Sequence, residues 1–255
     1  MKKSDETRVR EKKPRGFFRA VGRFFANLWR TLVTSAKQNL DDPDVFRRMG
    51  SAAIWTFLFF AAAWLIGFFL LKVNFFEKTW LVDKFFGVKI PKSLMPPESG
   101  KDALYWPRVL YIAGKVFLHY LVVMVVFIFF LNHFRVGKLN LGHVFLFAYA
   151  ALMGAVTGTK SFPYYSSTRL TALITFARFS LWQILAFLLA TVATTGLAVY
   201  ATPGWRESTW QKIRPLFSRP KLSGEDIEVL VYSFLILLAS CIAEARLIVF
   251  YSLYY

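Results

Sequence analysis

The chain has 255 residues, 56% of them hydrophobic, with 28 Phe, only 15 acidic side chains and a formal net charge of +17. That composition lies outside soluble globular usage and excludes an ordinary water-soluble domain. Cys241 is the single cysteine, which excludes an internal disulfide and a cysteine zinc site.

Residues 1–48 read as a basic cytoplasmic segment. A cleavable signal places its apolar core soon after a short basic stretch, whereas here a long polar and basic segment comes first, so the first span is expected to stay. Inside this segment, GFFRAVGRFFANLWRTLV repeats apolar residues at helical spacing: Phe17, Val21, Phe24 and Leu28, then Phe18, Phe25, Trp29 and Leu32. Arg19, Arg23 and Arg30 fall on the opposite side. The pattern predicts an amphipathic helix lying in the membrane interface, its basic side towards anionic headgroups. Each cation near such a surface contributes about 1 kcal/mol. The alternative is a helix packed on its own bundle. NLDDPDVFRRMG then turns into the first span, with Pro43 favouring a helix start and Arg47 and Arg48 acting as cytoplasmic stops.

Five apolar stretches follow within 49–255: 51–71, 109–131, 142–159, 170–201 and 229–253. A hydrocarbon core of about 30 Å takes roughly 20 residues of helix. By that measure 142–159 is short, and 170–201 needs tilt, a kink or an interfacial extension. Loop 72–108 carries Pro91, Pro96, Pro97 and Pro107 with Trp80, Tyr105 and Trp106, too interrupted for a span. It reads as a small outer cap or flap with its aromatics at the interface. Gly154 and Gly158 are four apart, and Ala186, Ala190 and Thr194 repeat that spacing, which lets helices approach closely. Packing within one chain is the reading; a homo-oligomeric face is the alternative use.

The predicted fold class is therefore all-α, a polytopic transmembrane bundle of about five spans. With the N-terminus inside, the cytoplasmic segments hold 20 Lys and Arg and the outer segments 9. Short cytoplasmic loops hold the excess, so the orientation is N-inside and C-outside, in the plasma membrane. The basic residues flank spans instead of building a recognition module, which speaks against a nucleic-acid partner.

Four charges sit inside spans. SCIAEARLIVFY carries Glu244 and Arg246, and Lys115 and Arg178 belong to other spans. At 1.5 Å per helical residue all four fall about 9 to 13 Å below the outer surface. This predicts a shared buried polar cluster of Lys115, His119, Arg178, Glu244 and Arg246. Glu244 and Arg246 lie on opposite faces of one helix, so Glu244 needs a partner on another; Arg178 is preferred and Lys115 the substitute. One reading is an ion pair that fixes helix register while Lys115 and Arg246 snorkel outwards. The other is a site for an anion such as a lipid phosphate. There is no HExxH helix, GxSxG elbow or Walker loop, and no cofactor is implied. His133 and His143, bracketing NHFRVGKLNLGH, read as loop or interface histidines and not as a metal site.

FFLNHFRVGKLNLGH followed by a Gly-containing span resembles the asparagine-bearing helix end of the stage II sporulation protein M family. FSLWQILAFLLATVATTGLA is similar to that family's helix beginning with His-Gly and a Glu three residues on. Phe179, Ser180 and Gln183 stand in those places, so the motif's polar chemistry is mostly absent. LLASCIAEARLIVF resembles the family's final helix, whose glutamate would be Glu244. The resemblance covers about the last 150 residues and the FRRMGSAAIWTF entry to the first span. It implies a five-helix protein without established enzymatic activity, which in sporulating bacteria joins a membrane complex with cell-wall-degrading partners. A five-span Yip1-type protein also suits the basic entrance and LGHVFLFAYA. The expected function is a non-catalytic scaffold or accessory subunit of a prokaryotic membrane complex, contacting other membrane subunits and anionic lipids. A transporter or lipid- or anion-handling subunit using the charged layer is the alternative.

Overall fold

The computed structural model describes residues 40–76, 105–161, 168–206, 209–215 and 222–254. Its framework is five helices: α1 (Val45–Phe69), α2 (Tyr105–Val123), α3 (Leu141–Gly158), α4 (Arg169–Ala193) and α5 (Gly224–Tyr254). A π-helical turn at Met124–Phe129 and a 3-10 turn at Leu131–His133 prolong α2. All five are long and apolar enough to cross a membrane, the bundle that hydropathy predicts. The interfacial helix expected around Phe17, Phe24, Trp29, Arg19, Arg23 and Arg30 lies outside the described residues, as do residues 77–104 of the outer loop.

Local chemistry sets where the helices begin and end. The Asp44 carboxylate accepts from the amides of Phe46, at 2.8 Å, and Arg47, at 3.4 Å, so α1 starts at Val45, before the apolar run itself. Thr168 caps α4 by accepting from the Thr171 amide at 3.1 Å. The apolar run 170–201 outlasts its helix, which stops at Ala193. There Thr194 Oγ1 donates back to Ala190 O at 2.6 Å and Thr195 Oγ1 to Val192 O at 2.9 Å. A 3-10 turn at Thr195–Leu197 then redirects the chain out of the helix.

The rest of that run enters a strand. Four short strands, β1 (Phe134–Val136), β2 (Leu139–Asn140), β3 (Tyr200–Thr202) and β4 (Gln211–Lys212), form a sheet in the order β2-β1-β3-β4. β1 and β2 are an antiparallel hairpin turned at Gly137, whose φ of 59° suits glycine. β1 and β3 are parallel, with Phe134 opposite Tyr200 and their rings stacked 5.6 Å apart. NHFRVGKLNLGH thus holds a hairpin and not a bare turn. Strands this short carry too little periodicity to announce themselves.

Successive helices alternate in direction. The sheet end gathers the end of α2, the start of α3 and the end of α4, joined through Asn132, Asn140, Thr194 and Thr195. The starts of α1 and α5 meet there too, through Arg48 and Asp226. At the opposite end Arg169 of α4 donates to carbonyls closing α1, Phe68 O and, at 3.0 Å, Leu71 O. A cation on the final carbonyls of a helix satisfies acceptors that have no partner within it.

The backbones of α1 and α3 approach closely, and three glycines allow it. A Cβ at Gly154 would lie 2.2 Å from Phe60 O, at Gly158 2.5 Å from Trp64 O, and at Gly67 2.8 Å from Ala155 O. Small residues four apart here serve packing inside the chain. Ala186, Ala190 and Thr194 are likewise buried within the bundle. Replacing Gly154 or Gly158 by Val is expected to lower stability by about 1–3 kcal/mol or more, seen as a fall in the thermal midpoint in detergent. Gly50→Ala, in an exposed turn of α1 with nothing within 4 Å of the added carbon, should instead raise stability by about 0.5–1 kcal/mol.

Candidate functional site

Of the five side chains expected in one buried cluster, only Glu244 is buried, at 2% exposure. Lys115 and Arg246 are exposed and lie over aromatic rings, Lys115 Nζ 4.5 Å from the Tyr111 centroid and the Arg246 guanidinium 5.6 Å from that of Trp106. Both therefore snorkel, with a cation–π contact in place of a buried partner. His119 is half-buried, edge-on to Tyr120 with ring centroids 5.4 Å apart. Arg178 is exposed and lines a groove with Trp182 of α4 and Ile236, Ala239, Ser240 and Ala243 of α5.

The expected Arg178–Glu244 ion pair is absent among the described residues, and helix phase is the reason. Gln183 Nε2 donates to Glu244 Oε2 at 2.7 Å, so the Gln183 face of α4 is turned to Glu244. Arg178, five positions away, is displaced by about 140° around the helix and emerges on the surface. Ser180, one turn from Gln183, shares its face, and both are wholly buried. The Ser180 hydroxyl and Gln183 Oε1 have no hydrogen-bond partner among the described residues. Tyr149 of α3 and Cys241 of α5 lie within electrostatic reach of Glu244. Phe187 closes this layer, its ring 5.1 Å from Tyr149 and 6.2 Å from Tyr120. Gln183 had a signal in the sequence, as the residue standing where the resembled family has a glutamate, but an uncharged amide in an apolar run does not mark a site.

A second polar centre occupies the sheet end. Arg48 Nη2 meets Asp226 Oδ1 at 2.5 Å and Arg48 Nη1 donates to Thr195 Oγ1 at 2.6 Å. The two charged side chains are only 8% and 6% exposed. Asp226 Oδ2 accepts from the Ser223 amide at 2.9 Å and hydroxyl at 3.0 Å, which caps α5. Arg48 is thus no mere surface stop, whereas its neighbour Arg47 is 67% exposed and makes only loose pairs with Asp42 and Asp44. Sequence shows two adjacent arginines and cannot say which turns inwards.

Beside this pair, Asn132 Nδ2 donates to Thr191 O at 3.0 Å and Thr194 Oγ1 at 2.6 Å, and Asn140 Nδ2 to Thr195 O at 2.9 Å. Gly142 is required here, because a Cβ would fall 2.1 Å from Asn132 Oδ1. His143, read as an interface histidine, is instead buried at 1% exposure in the first turn of α3. His133 Nδ1 lies 2.8 Å from Phe129 O. Above the network opens a cleft of about 520 Å³ whose lining includes Arg48, Arg135, Arg214, Asp41, Asp42 and Asp226. Arg135 pairs with Asp41, and Arg214 donates to Gly196 O at 3.0 Å. The guanidinium groups answer carboxylates and helix-end carbonyls, an arrangement that closes the fold more than it attracts an anion. Among the described residues no group of three or more His, Cys, Asp or Glu is placed to hold a metal ion.

Breaking the buried Arg48–Asp226 pair from one side leaves an uncompensated charge, so Arg48→Met or Asp226→Leu alone is expected to cost about 3–5 kcal/mol. The double substitution should recover most of that loss, measured as a double-mutant cycle of unfolding in detergent; a loss equal to the sum of the two would show that the groups do not act as a pair. A scan against protein-family models, a search of curated proteins and a search of solved structures each return no match for this chain.

Proposed function

We propose that this chain is a non-catalytic scaffold or accessory subunit of a larger membrane assembly, which it joins through the exposed α4–α5 face. The observation that carries this is Arg178. It lies nine residues into α4, roughly 14 Å along the axis, close to the middle of a hydrocarbon core about 30 Å thick. A cation exposed at that depth is costly and calls for a counter-charge. Lys115 and Arg246 rest on rings of their own chain. Arg178 has neither a cation–π nor a carboxylate partner among the described residues, and faces outwards.

The groove beneath it suits a helix better than a lipid headgroup. Ala239 and Ala243 are four apart on α5 and line it, so another helix backbone can approach closely. A phosphate would have to descend well below its normal level to reach the guanidinium. The partner is therefore a transmembrane segment with a carboxylate near mid-membrane. The excess of Lys and Arg in the sheet-end loops and the N-terminal segment favours a cytoplasmic sheet end in a plasma membrane. The segment between α1 and α2 is then available to extracytoplasmic partners, and Arg19, Arg23 and Arg30 to anionic lipid. The resemblance to the stage II sporulation protein M family points to the same kind of role.

Solubilising the native membrane with a mild detergent should recover the full-length chain with other membrane proteins. Arg178→Leu should release at least one of them, by about tenfold or more in yield on quantitative mass spectrometry, without lowering the thermal midpoint. Retention of every companion, or recovery of the parent as a solitary monomer, would defeat this proposal. Loss of bound anionic lipid with the protein composition unchanged would replace it by the lipid-handling reading.

A further inference from the structure

We infer that Glu244, Gln183 and Ser180 form a buried binding site for a small monovalent cation such as Na⁺. The inference does not rest on the docking face, since Arg178 lies about 140° around α4 from Gln183. It rests on the Glu244–Gln183 contact across α4 and α5 and on Ser180, one helical turn from Gln183 on the same buried face. Glu244 accepts from Gln183 at 2.7 Å, and Gln183 and Ser180 share one wholly buried face of α4. Two of their polar atoms, Gln183 Oε1 and Ser180 Oγ, lack hydrogen-bond partners among the described residues.

A buried polar atom left unsatisfied costs about 1–3 kcal/mol. Two such atoms a helical turn apart, beside a carboxylate, mark a place where another species completes the bonding. The carboxylate only accepts, so it holds the NH₂ of Gln183 and turns Oε1 the other way, and the amide thereby presents an oxygen instead of a donor. A serine inside a membrane helix usually donates to the preceding turn, as Thr175, Thr191 and Thr194 do in this same helix. Ser180 makes no such bond, which leaves its oxygen available.

Carboxylate, amide carbonyl and hydroxyl are hard oxygen donors, the set that suits alkali and alkaline-earth ions. One carboxylate neutralises one positive charge, so a monovalent ion leaves the site neutral in a medium that penalises net charge. A proton is the rival occupant. With Glu244 protonated, its hydroxyl would donate to Oε1 of a reversed Gln183 amide, which satisfies that oxygen without a metal. The titratable groups facing Glu244 include Tyr149 from α3 and Cys241 on α5. Lys115, Arg178 and Arg246 are exposed, and His119 is half-buried against Tyr120.

The test uses purified full-length protein in detergent and dicyclohexylcarbodiimide, an apolar reagent for protonated carboxyl groups. Modification of Glu244 is followed by mass spectrometry at one pH while NaCl replaces choline chloride at constant ionic strength. Labelling is expected in choline and protection by Na⁺ in a saturable manner, with a Na⁺-dependent rise in thermal midpoint that Glu244→Gln abolishes. Ser180→Ala removes one ligand without removing a hydrogen bond and should raise the half-protecting Na⁺ concentration about tenfold. Gln183→Leu should abolish protection. Labelling indifferent to Na⁺, or an unchanged half-protecting concentration in Ser180→Ala, overturns the proposal in favour of a proton or a bound water. Absence of labelling in choline together with a thermal midpoint indifferent to Na⁺ overturns it as well.

Discussion

Asn132 is the residue through which the ends of three helices are held. Its amide nitrogen donates to Thr191 O and Thr194 Oγ1 of α4, and its own carbonyl accepts from Asn140 Nδ2 at 3.3 Å at the entry to α3. The force of the constraint comes from the solvent. A helix leaves its last carbonyls and first amides without internal partners, and near hydrocarbon those groups must find one another because water is not there to take them. A short side chain whose Nδ2 serves both Thr191 O and Thr194 Oγ1, with its Oδ1 seated where the absent Cβ of Gly142 leaves room, does this with little volume. The π-helical turn before Asn132 shifts the helix phase and so helps to set the direction in which that side chain points.

The remaining two helices reach the same end by charge. Arg48 joins α1 to α5 through Asp226 and to the end of α4 through Thr195. With both charges shielded, the pair is costly to form and more costly to halve, which makes it a register device. The opposite end is built differently: backbones pressed together at Gly67, Gly154 and Gly158, and a guanidinium closing the carbonyls of α1. One end is thus specified by hydrogen-bond matching and the other mainly by close packing. The three span cations then remain exposed on the flanks of the bundle instead of meeting in the core.

Much of the framework was legible in the residues. The five spans appear as apolar runs because the bilayer imposes both a length and a composition on any segment that crosses it. The Gly154/Gly158 spacing pointed to close packing within the chain, and Lys115 and Arg246 read as snorkelling side chains in one of the two readings considered. What was not legible was of two kinds. The strands are too short for a period of two to show, and the β1–β3 pairing joins segments separated by α3 and α4. The charged cluster failed because position along a helix can be counted from sequence but rotation cannot: α4 turns Gln183 to Glu244 and leaves Arg178 on the surface.

By itself, then, the sequence determined a helical membrane bundle and its number of spans, since these follow from hydrophobic length. Only the tertiary structure decided that Glu244 meets Gln183, that Arg48 turns inwards while Arg47 does not, and that Arg178 is left facing out. Those outcomes depend on how each helix is rotated against its neighbours. Rotation is set by the summed packing of glycines, threonines and aromatic rings drawn from several helices, so no single stretch of chain contains it.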